Sequence, residues 1–273
     1  LDPSLLGAVS LRMVDLTLKS GSTSESPLAF AFYGGTLVSM GNEYINEACR
    51  LGRTALKLLE KRECSIYKSS VICIVRTFTS WASHPLQAIA EDHLVGHRAG
   101  MQSGDFLYSL LNKMGFLQVS FITGQHLTTV RKQFREFILK MQREDVQVAR
   151  NIFMVFHLQA AVLQDGEYRL DDDCVDNIPG LRKILEGMDQ VIKKGGKLDI
   201  AVPLFIKIFQ IQRACFFRRF DDISFDDNNI SEIISEEKHA LRPVLSMGIF
   251  FEGLASFQLA RQSSNETRTK WIE

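Results

Sequence analysis

The sequence predicts an all-α chain, an α-α superhelix of stacked antiparallel helix hairpins, and three observations predict it. The run Leu51-Gly52-Arg53-Thr54-Ala55 returns about 44 residues later as Val95-Gly96-His97-Arg98-Ala99. A small-x-x-small pattern recurring at roughly 35 to 45 residues belongs to stacked helix pairs rather than to a single closed enzyme fold. Two stretches also share one spacing: Ile45, Ala48, Gly52, Ala55, Leu56 and Leu59 have the same increments as Leu127, Val130, Phe134, Phe137, Ile138 and Met141. Finally, Val, Ile, Thr and aromatic residues never settle into sustained alternation, so no strand is predicted.

Taken in order, Ser26-Pro27 opens the first hairpin, Ser as cap and Pro in the first turn, and the apolar run Leu28 to Met40 stops at Gly41-Asn42. The Ile45 stripe follows, with Asn46, Glu47, Arg50, Arg53 and Lys57 on its wet side. A second pair runs from Tyr67 to Ala82, ended near His84-Pro85, and from Leu86 to Ser103, ended at Gly104-Asp105. Phe106 to Thr123 and the Leu127 stripe, split at Gly124, make the third.

Beyond these, Val146 to Gln164 reads as a long buried helix ended by Asp165-Gly166, and Glu167 to Asn177, with Asp171-Asp172-Asp173, as a loop or junction near 165–178 in one array over 1–273. Pro179 opens a helix carrying Lys193-Lys194 in its last turn before Gly195-Gly196. Leu198 to Phe220 is apolar on most sides, Asp221 to Asn229 is an acidic loop, and Ile230 to Leu241 pairs with Val244 to Ala260 across Arg242-Pro243. In that last helix Phe250, Gly253, Leu254, Phe257 and Ala260 continue the apolar stripe. The sum is about ten to twelve helices.

Composition narrows the function. Thirty-two basic and 32 acidic residues give a net charge of +0, which removes any general attraction for nucleic acid or anionic lipid. The apolar runs Val71–Val75, Ala201–Ile206 and Gly248–Phe251 each stop at a charged residue, too short for a bilayer. Five scattered cysteines, Cys49, Cys64, Cys73, Cys174 and Cys215, form no C-x-x-C pair and suit a reducing, cytoplasmic setting. Leu1-Asp2-Pro3 is no secretory leader, and the chain reads as a segment of a longer protein. Without secretion the sequons at Asn229 and Asn265 carry no meaning.

Gly52-x-x-Ala55-Leu56-x-Leu58-Leu59-Glu60, Pro85-Leu86 leading to Gly96-x-x-Ala99-Gly100-x-x-x-Gly104-Asp105, and Phe250-Phe251-Glu252-Gly253-Leu254-Ala255 together resemble a known family. The chain, from about Asp15 to Trp271, is similar to the tetratricopeptide-like helical-repeat region of large multidomain AAA/STAND-type ATPase signalling proteins, those with histidine-kinase, serine/threonine-kinase or nucleotide-cyclase modules. The resemblance implies an array lying between an ATPase module and an output module. The spacing is longer than the tetratricopeptide repeat of about 34 residues, so the array is tetratricopeptide-like. Its motifs are structural and imply no catalytic residue.

Four motifs could carry chemistry. His93 and His97, at i and i+4, could share a helix face for a metal, but no zincin Glu or third ligand accompanies them, and the repeat register places His97 opposite Arg53, on the solvent side. Asp221-Asp222-Ile223-Ser224-Phe225-Asp226-Asp227 resembles the metal–diphosphate motif of all-α terpene synthases, yet Phe225 stands where an acid is required. Lys194-Gly195-Gly196-Lys197 lacks the spacing of a phosphate loop. Trp81 and the 19 Phe residues read as packing rather than a stacking platform. The expectation is a non-catalytic scaffold with no catalytic, cofactor or metal residues, binding a protein partner or neighbouring domains, and neither nucleic acid nor membrane. The alternative is an all-α enzyme holding a divalent metal and diphosphate near Asp221, Asp222 and Asp226; a third reading is a small ligand in the concave face.

Overall fold

The computed structural model describes residues 3–62, 65–81, 83–141, 147–165, 201–220 and 242–262. Ten α-helices run through them: α1 (Pro3–Ser20), α2 (Ser26–Met40), α3 (Ile45–Arg62), α4 (Lys68–Ile74), α5 (Leu86–Ser103), α6 (Phe106–Ile122), α7 (Leu127–Met141), α8 (Gln147–Asp165), α9 (Ala201–Phe217) and α10 (Arg242–Gln262). Among the described residues there is no strand, and the chain is all-α. The chain divides into two units, residues 1–123 with 237–243, and residues 124–236 with 244–273.

In the first unit, α1 packs on α2 and α2 on α3, while α4 touches α2, α3, α5 and α6, and α5 packs most extensively on α6. Helix α1 precedes the first hairpin read from the sequence and is tied to α2 by Ser26. That serine does not cap α2: Glu25 precedes the helix, and Ser26 Oγ accepts from the Thr23 N–H and contacts Thr17 Oγ1, each at 2.9 Å. Pro27 does sit in the first turn. Helix α2 is apolar all round, and it survives in water by being surrounded: Ala29, Ala31 and Val38 are buried against α1, α3 and α4.

The Ile45 stripe of α3 faces inward as its spacing demands. Ala48, Gly52, Ala55 and Leu59 are buried, whereas Arg50, Arg53 and Lys57 are exposed. Gly52 is required by contact, because a Cβ there would collide with Thr79 Oγ1 and come within 3.2 Å of Val75 Cγ1. That hydroxyl cannot swing away freely, since it donates to Val75 O at 2.9 Å. Thr79 ends a π-helical turn, Val75–Thr79, in which the Ser80 N–H bonds back to Val75 O. Such widened turns are rare and gave no signal in the sequence.

The second copy of the repeat differs from the first in detail. The small face of α5 consists of Gly96 and Gly100, both buried, while Ala99 is only half-buried and Val95 is exposed. Gly104, with φ 80°, ends the helix in the left-handed region, and Asp105 Oδ1 then accepts from the Tyr108 N–H to cap α6.

In the second unit, α7 packs on α8 and α8 on α9. Six rings hold the three together. Phe156 on α8 lies 5.8 Å from Phe134 of α7, and 5.3 and 4.9 Å from Phe205 and Phe209 of α9. Phe153 adds contacts to Phe134 and Phe137 at 5.7 and 4.8 Å. Most are tilted or edge-to-face, the arrangement the ring quadrupole favours. Helices α6 and α7, expected as a hairpin, fall in different units. Pro243, expected between two helices, instead lies in the first turn of α10.

The expected features at Cys64, Glu167–Asn177, Pro179, Lys193-Lys194, Gly195-Gly196, Asp221–Asp227, Ile230–Leu241 and both sequons lie outside the described residues. So does nearly all of the junction expected at 165–178, Cys174 included.

Candidate functional site

Two features stand out from ordinary packing: a polar knot inside the first unit and an apolar face on the outside of the second.

The knot forms where glycines let α4, α5 and α6 approach. A Cβ on Gly96 would lie 2.6 Å from Asn112 Oδ1, one on Gly100 2.5 Å from Ser69 Oγ, and one on Gly115 2.5 Å from His93 Nε2. Into that space Asn112 sends a fully buried amide, whose Nδ2 donates to Ser69 O at 2.8 Å and Tyr108 O at 2.9 Å, and approaches Ser69 Oγ at 3.2 Å. With its NH2 so engaged, Asn112 Oδ1 is the acceptor left for His93 Nδ1 at 2.9 Å, which fixes the imidazole as the Nδ1–H tautomer. His93 is thus a buried core residue, as is Cys49, its counterpart in the first repeat copy.

His97 does not point into solvent as its alignment with Arg53 suggested. It is half-buried and turned toward α6, with Nδ1 donating to Ser109 O at 3.0 Å while Ser109 Oγ donates to His97 O at 3.0 Å. The reason is tertiary: α6 lies against this face of α5, whereas Arg53 on α3 remains exposed. Ser109 Oγ is also 2.8 Å from His97 Nδ1, the spacing of a nucleophile and its base. However, Ser109 is fully buried and its proton is engaged by His97 O, so no substrate carbonyl can reach it.

The two histidines are therefore committed to different partners. Among the described residues no group of three His, Cys, Asp or Glu side chains could hold a metal. Beside the knot Arg76, in the π turn, pairs with Asp92 at 2.7 Å and donates to Ser80 Oγ at 2.9 Å. Cys73 is buried, which pushes its thiol up to about 12 and makes it unreactive. Trp81 donates Nε1–H to Phe78 O at 2.9 Å and packs against the Ile89–Ala90–Val119 cluster.

Burial gives the knot a pH dependence. Desolvation pulls His93 down from its ordinary 6.5 to about 4, with Arg76 adding to the effect and the Asn112 bond and Asp92 opposing it. His157, on α8, is drawn to about 4 in the same way, beside Arg131 and Arg135. A histidine whose folded pKa lies below its unfolded one contributes fully above pH 6.5 and loses that contribution as pH falls toward 4. The loss is about 1.4 kcal/mol per pH unit for each group, or about 3 kcal/mol at pH 4. Chemical denaturation between pH 7 and 4.5 should show this fall, and His93→Gln should remove one histidine's share of the slope. An unchanged slope in that variant would place the acid sensitivity elsewhere.

The outer face belongs to α10. Val244, Leu245, Phe251 and Ala255 are buried, and the helix touches α9 where Phe216 lies 5.4 Å from Phe251 and Cys215 Sγ contacts Phe251 O. The stripe expected to face the core points the other way. Ile249, Phe250, Leu254 and Phe257 are 47%, 64%, 37% and 58% exposed, and a Cβ on Gly253 would meet nothing within 4 Å; of the expected stripe only Ala260 is buried. The helix is apolar on both sides, so its own periodicity could not say which side would be covered. Helix α1 shows a milder form, with Leu5, Val9 and Leu16 exposed on one flank, Leu11 and Leu18 on the other, and Arg12, Asp15 and Lys19 paired between them.

Comparison with protein-family models, curated proteins and solved structures gives no match to this chain. Among the described residues no helix is long and apolar enough to cross a membrane.

Sequence reasoning did not find Asn112, Ser69 or Ser109. The available signal was Ser109 and Asn112 at i and i+3 on a largely apolar helix, a polar pair at core spacing.

Proposed function

We propose that this chain is a non-catalytic, cytoplasmic helical scaffold, a tetratricopeptide-like superhelix that binds a protein partner or a neighbouring module. The observation that carries the reading is α10, apolar on both sides with one side left open by the described residues. An apolar helix face that wide is stable in water only when something covers it. The packing of α4 on α2, α3, α5 and α6 supports the stacked-hairpin reading, being the neighbour pattern of consecutive helix pairs. The family resemblance extends it: the array would couple an ATPase module to a kinase or cyclase output module, passing closure of one to the other.

Photo-crosslinking tests the reading. Benzoylphenylalanine is placed singly at Leu16, Leu18, Phe250 or Phe257, each exposed in the chain. Adducts formed in the cell should identify a polypeptide that, once purified, binds the purified chain directly and changes its own turnover or output on binding. If no adduct from any position yields such a polypeptide, the scaffold reading fails.

A further inference from the structure

The glycine that recurs in the sequence marks the same joint twice. Gly52 on α3 and Gly96 on α5 are each filled by a polar side chain from the helical segment that follows, Thr79 of the π turn at Gly52 and Asn112 of α6 at Gly96, which lies where a Cβ on the glycine would be. The residue three positions before each glycine, on the same face of its helix, bonds the same occupant. Cys49 Sγ donates to Thr79 O at 2.9 Å, and His93 Nδ1 donates to Asn112 Oδ1 at 2.9 Å. Each occupant is also tied to its own segment four residues back, Thr79 Oγ1 donating to Val75 O and Asn112 Nδ2 to Tyr108 O, both at 2.9 Å. Cys49, Thr79, His93 and Asn112 are all buried.

What repeats is the set of contacts, since a thiol in one joint answers to an imidazole in the other, and a hydroxyl to an amide. Helix α7 supplies the contrast. Its apolar stripe has the spacing of α3, but Phe134 stands where α3 has Gly52, and α7 meets Phe153 and Phe156 of α8 through rings. No socket forms there. In the two glycine joints a rotation of the second segment by one residue would swing the occupant by about 100°, away from both the glycine and the donor beside it. Buried polar groups would then lose their partners, which makes the observed register strongly preferred.

We infer that Gly52 with Cys49 and Thr79, and Gly96 with His93 and Asn112, are two copies of one latch that fixes the rotation and axial register of the second segment against the first. The π turn on α3 and α6 on α5 are thereby each held in one arrangement. The inference goes beyond the scaffold reading and does not depend on it.

The test uses the whole chain with spin labels on p-acetylphenylalanine, which leave the native cysteines in place. Arg53 and Lys68 are labelled across the first joint, Arg98 and Leu107 across the second, all four exposed, and distances are read by double electron–electron resonance. The parent should give one narrow distribution for each pair. Thr79→Ala should widen the first about twofold or more and spare the second, Asn112→Ala should do the reverse, and Thr79→Ser, which keeps the hydroxyl, should match the parent. A distribution left narrow by the alanine variant of its own joint overturns the inference, as does widening of both pairs by either variant. Where an alanine variant loses its helical circular dichroism, the same variant carrying Gly52→Ala or Gly96→Ala, which refills its socket, is read instead; loss of helix there too overturns the inference. The glycine is tested by a cycle: Gly52→Ala alone should lower the folding equilibrium constant about tenfold or more, and far less once Thr79→Ala has removed the obstacle. An equal loss in both backgrounds rules the latch out.

Discussion

Replacing Phe156 by alanine is expected to cost the second unit about 3–5 kcal/mol, the range for removing a buried phenylalanine without collapse of the space it leaves. The ring is fully buried and touches aromatic rings of both flanking helices, Phe134 on α7 and Phe205 and Phe209 on α9. Its removal therefore strips two edge-to-face contacts and one tilted one at once, and helices cannot close the gap without moving against each other. Urea denaturation followed by near-ultraviolet circular dichroism reads the loss. Phe156→Leu, which keeps most of the volume, should cost clearly less than the alanine variant. Equal losses would mean that the ring packing contributes nothing beyond bulk.

The second large effect is expected at Asn112. Asn112→Ala removes the acceptor of His93 and the donor to Ser69 O, leaving buried polar atoms without partners, and it opens a cavity among α4, α5 and α6. Each orphaned buried group costs about 1–3 kcal/mol, so a loss of about 3 kcal/mol for the first unit is expected. A double-mutant cycle makes the expectation specific. Gly96→Ala alone drives a methyl into the Asn112 amide, 2.6 Å away, and should destabilise by about 1–3 kcal/mol. In the Asn112→Ala background the obstacle is gone, and the same change should cost little. Strict additivity of the two changes would show that Gly96 is not there to admit Asn112.

These two sites show where sequence legibility ends. The apolar stripe of α3 could be read directly, because its wet side is marked by Arg50, Arg53 and Lys57, and a helix with one polar side has one way to face. The same holds for Val130, Phe134, Phe137 and Ile138 on α7, all buried. Gly104 and Gly124, at φ 80° and 74°, also end their helices where the sequence places the breaks. By contrast α10 has no polar side to orient it, and the stripe read as core faces outward because α9 meets Phe251 on the opposite side.

His97 teaches the same lesson from a polar residue. Its counterpart Arg53 suggested solvent, and the repeat register was sound, yet register fixes a position on a helix and not what lies against it. Helix α6 lies against His97 and engages it through Ser109.

By itself, then, the sequence determined that the chain is helical, where most of the described helices start and stop, and which face of each clearly amphipathic helix is dry. Those properties are local: they follow from the period of the apolar residues and from what glycine and proline allow the backbone. Only the tertiary structure decided which helices are neighbours, that Asn112 and His93 would complete each other across 19 positions of sequence, and which side of α10 would be left open. Contacts between distant segments depend on shape complementarity and on the satisfaction of buried polar groups, and neither is encoded in the period of any single helix.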